Sequence, residues 1–167
     1  PLPEAQLDRF FFKLEVGYSS RADLSEILNR TTAGAQPELK AVLDGPTILA
    51  HQQLVRRVVV APHVQDYAVR AVLSTHPEGD LSTPMVNQFL RFGASPRGAQ
   101  TLILGAKVRA LLDGRANVSV EDIRGVMLPA LRHRCLLNFE GEAEGKTTDE
   151  VIRNIIETLP AEAMAGV

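Results

Sequence analysis

The sequence predicts a mainly α-helical protein: a compact helical bundle preceded by a short helical turn and a strand. Three observations carry the prediction. Apolar residues recur at helical spacing in four stretches between residues 46 and 131. Each stretch opens on Pro or Ser, residues that suit the first turn or the cap of a helix. None is long enough for a coiled coil, so their apolar faces must be buried against one another. The chain has 167 residues, 45% of them hydrophobic, enough for a core in one domain or slightly more.

In chain order, Glu4 to Asp8 reads as a helical turn and Phe10 to Val16 as a strand. Ser20 is placed to cap a helix that carries Leu24, Ile27 and Leu28 on one face. Residues 32 to 46, rich in Gly, Ala and Pro, read as a connector. Pro46-Thr47 opens the first bundle helix with Ile48, Leu49, Gln52 and Val55, and Val58 to Val60 is a short extended piece. Pro62 opens the second, on which Val64, Tyr67, Ala68, Ala71 and Val72 repeat at helical spacing. His76 to Pro84 is a polar loop, and residues 85 to 92 suit a short helix without requiring one. Ser95-Pro96 starts a long helix through Asp113, with Ala99, Leu102, Ile103, Ala106 and Ala110 facing inward and Gly114 ending it. Ser119 and Asp122 resemble a capping box for the fourth, which carries Ile123, Val126, Met127 and Leu131.

Composition excludes several classes. A formal net charge of −2 provides no basic field for nucleic acid or anionic lipid. One cysteine, Cys135, allows no internal disulfide and fits a reducing compartment, hence a cytoplasmic location. No run approaches the ~20 apolar residues that span a bilayer, and the N-terminal residues have no signal-peptide pattern. The chain starts without Met and reads as the interior of a longer sequence.

Four stretches are candidates for chemistry. "GEAEGKTT", Gly141 to Thr148, resembles a phosphate-binding loop but places three residues rather than four between its glycines. Glu142 and Glu144 would also put negative charge where an anion must sit. It reads instead as a linker, with Thr147 and Glu150 forming a capping box for the last helix. In "GASPR", Gly93 supplies a turn, Ser95 the cap and Pro96 the first helical position. Arg97 then lies in the first turn, where the helix dipole disfavours a cation. A guanidinium beside free helix N–H groups suits a phosphate oxygen; the plainer reading is a solvated Arg or a pair with a nearby carboxylate. In "LPEAQLDRF", Arg9 sits at a helix-to-strand junction with Phe10 to Phe12 anchoring the chain behind it. That arrangement suits an arginine finger, and an Asp8–Arg9 surface pair is the plainer reading. "RHRC", Arg132 to Cys135, has too few ligands for zinc, so no metal site is expected. His51, His63 and His76 have no partnering pattern, and Arg56-Arg57 with Lys107 and Arg109 form local basic faces.

Together "PLPEAQLDRF", "GASPRGAQTLILGAKVRALLDGR", "NVSVEDIRGVMLPALRHR" and "LLNFEGEAEGKTTDEVI" resemble the C-terminal part of a MoxR-family AAA+ ATPase over nearly the whole chain. The resemblance implies a helical-bundle AAA+ lid preceded by a remnant of the α/β ATPase core. Residues 1–17 would be the core edge with the finger motif and 18–45 a helix and linker. Residues 46–140 would be the lid, and 141–167 a linker and C-terminal helix. It further implies that Arg9 is the arginine finger and that Arg97 is sensor 2, a phosphate contact positioned by Ser95 and Pro96. Whether Arg97 acts in its own subunit or across a ring stays open.

ATP and Mg²⁺ are the cofactors implied for the intact protein. None is expected on this chain alone, because it has no P-loop, Walker B acid or sensor 1. The partners implied are a homo-oligomeric ring, expected to be a hexamer, and unidentified client proteins, among them von Willebrand type A domain proteins. The activity implied is ATP-driven, chaperone-like remodelling or maturation of clients. Residues 76–92 look like a loop extension relative to the shortest lids. Two other readings of the residues remain: a nucleotide-independent helical interaction module, and a nucleic-acid-binding helical domain, which the net charge opposes.

Overall fold

The computed structural model describes residues 2–34 and 38–162. Its centre is a pair of packed helices, α6 (Pro96–Leu112) and α7 (Val120–Leu131). Helices α3 (Gly45–Arg57) and α4 (Pro62–Leu73) pack against α6, and α9 (Thr148–Thr158) packs against α7. The apolar positions spaced for burial on α4, α6 and α7 are buried: Val64, Tyr67, Ala68, Ala71 and Val72 on α4, Leu102, Ala106 and Ala110 on α6, Ile123 and Met127 on α7; those on α3 are not, since Ile48 and Leu49 are exposed and α3 buries no residue. Burying one large side chain of this kind stabilises by about 1.5–3 kcal/mol, so the shared face holds the helices together. Val59 and Asn117 form an isolated parallel bridge where the short extended piece is expected.

Helix boundaries follow local chemistry. The Ser95 hydroxyl accepts from the Arg97 N–H, Pro96 occupies the first position, and Gly114 leaves α6 at φ +71°. Ser119 and Asp122 form a reciprocal capping box at α7. Arg115 holds the Asp122 carboxylate in two bonds of 2.8 and 2.7 Å. Those bonds outweigh burial and pull the Asp122 carboxyl down to about 2.

Elsewhere the structure departs from the expectations. α1 (Glu4–Leu7) forms, but Phe10 to Val16 is not a strand. A strand exists only with a ladder partner, and none lies beside it among the described residues. It bonds to the helical bundle instead: the Lys13 N–H donates to the Pro129 carbonyl of α7 at 2.9 Å. α2 (Arg21–Thr32) has its Ser20–Asp23 capping box, yet Leu24, Ile27 and Leu28 are exposed. The connector lacks regular structure over residues 38 to 44; its residues 35–37 lie outside the described residues.

Residues 84–92 are not a loop extension. They form α5 (Pro84–Phe89) and β1 (Leu90–Phe92), which pairs antiparallel with β2 (Leu136–Leu137). Val86, Phe89 and Leu90 are buried, so this segment is part of the core. The linker expected from residue 141 is also corrected. Gly141 is buried within α8 (Phe139–Ala143), which packs on α5, where a Cβ would come within 2.9 Å of the Phe89 carbonyl oxygen. Gly145 turns the chain at φ +67°, and Thr147 with Glu150 caps α9 as expected. Lys146 lies over the Phe89 ring, 5.4 Å from its centroid, held by an aromatic face rather than facing an anion.

Candidate functional site

The two arginine motifs meet at one carboxylate. α1 ends at Asp8, whose side chain is 18% exposed. Asp8 accepts from the Ser95 hydroxyl at 2.8 and 3.0 Å, from Arg97 Nη1 at 2.9 Å and from Arg134 Nε at 3.1 Å. Burial pushes its carboxyl up, but the bonds from Arg97 and Ser95 and the charge of Arg134 outweigh this and hold it below the ordinary value. Arg97 pairs with a carboxylate, as the plainer reading has it, and remains 53% exposed. Arg9 is exposed and does not pair with Asp8, whose ion pairs go to Arg97 and Arg134.

Gly93 is required by close approach rather than by a turn. A Cβ there would meet His76 Cδ2 at 2.3 Å and the Thr75 carbonyl oxygen at 2.4 Å. His76 Nε2 bonds the Ala94 carbonyl at 2.8 Å, and the Thr75 hydroxyl accepts from the Ala94 N–H at 2.9 Å. The loop after α4 thus fixes the entry to α6, and so the position of Ser95, Pro96 and Arg97.

"RHRC" is a clasp rather than a metal site, and sequence reasoning missed it. Arg134, 2% exposed, donates to the carbonyls of Asp8 (2.9 Å), Phe10 (2.8 Å), Phe11 (3.3 Å) and Ala130. His133 Nε2–H donates to the Phe10 carbonyl at 2.9 Å, and burial lowers the affinity of its ring for a proton. Arg132 grips Asp149 at the start of α9 through bonds of 2.9 and 2.7 Å. Burial pushes the Cys135 thiol up to about 12, so it is protonated and inert at neutral pH. The available signal was charge in an apolar setting: two arginines between Leu131 and Leu136 must find partners if buried. Among the described residues no group of three or more His, Cys, Asp or Glu could hold a metal ion.

The two motifs thus present three arginines of graded exposure: Arg9 exposed, Arg97 half-exposed and held by a single bond to Asp8, and Arg134 buried against the same carboxylate. The AAA lid domain family matches residues 83–155, which include most of this helical bundle and the arginine in the first turn of α6. The chaperone MoxR1 of Mycobacterium tuberculosis is 35% identical over 95% of this chain and 42% of its own length. The protein MoxR of Methylorubrum extorquens is 31% identical over 96% of this chain and 50% of its own. A crystal structure from Cytophaga hutchinsonii, of a protein inferred to be an ATPase, superposes with a TM-score of 0.90 at 28% identity; it covers 96% of this chain and 49% of that one. The chain is thus similar to MoxR-type AAA+ proteins over nearly all of its length, and its residues 83–155 match an AAA lid domain. It spans about half the length of the curated relatives it matches.

Proposed function

We propose that this chain is the lid of a MoxR-type ATPase, where it couples ATP binding and hydrolysis to chaperone-like remodelling or maturation of client proteins. The observation that carries the reading is Arg97: half exposed, in the first turn of α6, and tied by one ion pair to the segment that bears Arg9. Arg97 as sensor 2 contacts a phosphate oxygen and transmits its presence to α6. Arg9, exposed and next in sequence to Asp8, acts as the arginine finger at the nucleotide of a neighbouring subunit. The residues present fit the phosphates of ATP, since they supply guanidinium donors. Mg²⁺ accompanies ATP in the intact protein.

When bound, ATP supplies the phosphoryl group that is transferred to water. The working assembly is a homo-oligomeric ring, a hexamer, in the cytoplasm. Its clients include proteins with a von Willebrand type A domain, and nucleic acid is not a partner. No helix among the described residues is long and apolar enough to cross a membrane.

The test is steady-state turnover of the full-length ATPase carrying Arg9→Ala or Arg97→Ala. Each should lower turnover at least about a hundredfold, since a guanidinium at the transferred phosphoryl is worth 10³–10⁵ in rate in ATPases and GTPases. Wild-type turnover in assembled Arg9→Ala rings discards the finger. Wild-type turnover in both variants leaves nucleotide-independent partner binding as the reading.

A further inference from the structure

Asp8 has two guanidinium partners of unequal standing. Arg134 is 2% exposed, bonded to Asp8 Oδ1 and to four backbone carbonyls, three of them in the Asp8–Phe11 segment. Arg97 is 53% exposed and reaches Asp8 through Nη1 alone. Removing the partner of a buried charge is strongly destabilising, whereas an exposed pair opens readily. One carboxylate shared in this way can release Arg97 while Arg134 keeps it neutralised. The Ser95 hydroxyl, which caps α6 and donates to both Asp8 oxygens, holds the carboxylate at the helix start throughout.

We propose that Asp8 is a positioning residue that clamps Arg97 beside the start of α6 until a phosphate oxygen displaces it, with Arg134 as the partner that stays. The proposal rests on the sensor reading of Arg97 and adds to it a resident competitor for the nucleotide. Because Asp8 directly precedes Arg9, the exchange also changes what holds the backbone of the finger segment. Before nucleotide arrives, Asp8 is tied to the start of α6 through both Arg97 and Ser95; afterwards Ser95 alone keeps that tie, while Arg134 and His133 go on holding the backbone of the segment.

The experiment is a double-mutant cycle on the full-length ATPase, with ATP and Mg²⁺ affinity read by titration calorimetry in wild type, Asp8→Asn, Arg97→Ala and the double variant. Removing a competing ion pair with a half-exposed arginine should tighten ATP about two- to fivefold in Asp8→Asn. No tightening should follow in the Arg97→Ala background, and Glu4→Gln, which removes a nearby exposed charge from α1, should leave affinity unaltered. An Asn amide oxygen can still accept from Arg134. If Asp8→Asn melts early, Asp8→Glu keeps the charge and should show a smaller tightening with the same dependence on Arg97. Unchanged or weaker binding in Asp8→Asn, or equal tightening in both backgrounds, overturns the proposal. If Arg97→Ala alone alters neither affinity nor turnover, the sensor reading is what fails, and the clamp falls with it.

Discussion

Replacing Arg134 by Met should undock the Asp8–Lys13 segment from the lid while the lid stays folded. Met fills much of the volume of the arginine stem but removes every donor. The lost bonds run to the Asp8 carboxylate and to the carbonyls of Asp8, Phe10, Phe11 and Ala130. A bond from a charged donor contributes about 1.5–3 kcal/mol, but the sum is far from additive, because burying the guanidinium offsets most of it. Two features limit the damage further: Asp8 keeps Arg97 and Ser95, and the Phe10 carbonyl keeps His133. Phe12 also stays as an apolar anchor, its ring reaching toward Gly105 of α6 and Val126 of α7 lying alongside. A net loss of about 3 kcal/mol in docking follows, or about a hundredfold in the docking equilibrium. The Lys13 amide, which donates to the Pro129 carbonyl, is the natural probe, because its bond joins segment to lid. Hydrogen exchange at Lys13 should accelerate about a hundredfold in Arg134→Met, with amides in the middle of α6 and α7 unchanged. Unaltered exchange at Lys13 refutes the clasp. Equal acceleration throughout α6 and α7 makes Arg134 a residue of the lid core instead.

Two further perturbations test the framework. Asp122→Ala removes the α7 capping box and the bidentate Arg115 pair together, and should cost about 2–3 kcal/mol in urea unfolding followed by circular dichroism; an unmoved midpoint would show that α7 is held by packing alone. His133 titrates in the folded state below its ordinary value of 6.5, chiefly because of burial, so the neutral ring is favoured by docking. The corresponding stability is complete above about pH 6.5 and is lost as pH falls through the lower folded-state value. Lys13 exchange, corrected for its intrinsic pH dependence, should therefore report weaker docking at pH 5.5 than at pH 7.5. His133→Gln, which retains a side-chain N–H for the Phe10 carbonyl, should flatten that difference.

What was legible in the sequence was what nearest neighbours decide. The caps at Ser20, Ser95, Ser119 and Thr147 depend on residues within three positions, and each forms as its spacing indicates. The inward faces of α4, α6 and α7 follow from periodicity, which survives whatever the helices pack against. Legibility failed where a distant partner decides. Phe10 to Val16 alternates acceptably for a strand but has no ladder beside it, and its carbonyls are taken by side chains more than 120 residues away. Residues 84–92 and 139–143 are short, so their patterns carry little information until they are packed against each other. The clasp was hidden because arginine is ordinarily a surface residue, and only the observed burial reveals that Arg134 is not.

The same distinction bears on the two arginine motifs. Each has a plain reading, a carboxylate partner, and a functional one, a phosphate, and the two need not exclude each other. For Arg97 they do not. A guanidinium destined for a phosphate but left in water loses side-chain entropy when it is captured, whereas one already held by Asp8 is partly ordered before capture. Under the proposed clamp the counter-ion sets a threshold: a ligand oxygen must compete with a carboxylate that is itself shared. A triphosphate meets that condition, since Asp8 divides its charge between Arg97 and Arg134. Arg9 differs: it has no ion pair with Asp8, which is compatible with the finger role proposed for it. The Asp-Arg order within "LDRF" then has a physical sense: the first residue faces inward to the lid, and the second is left free.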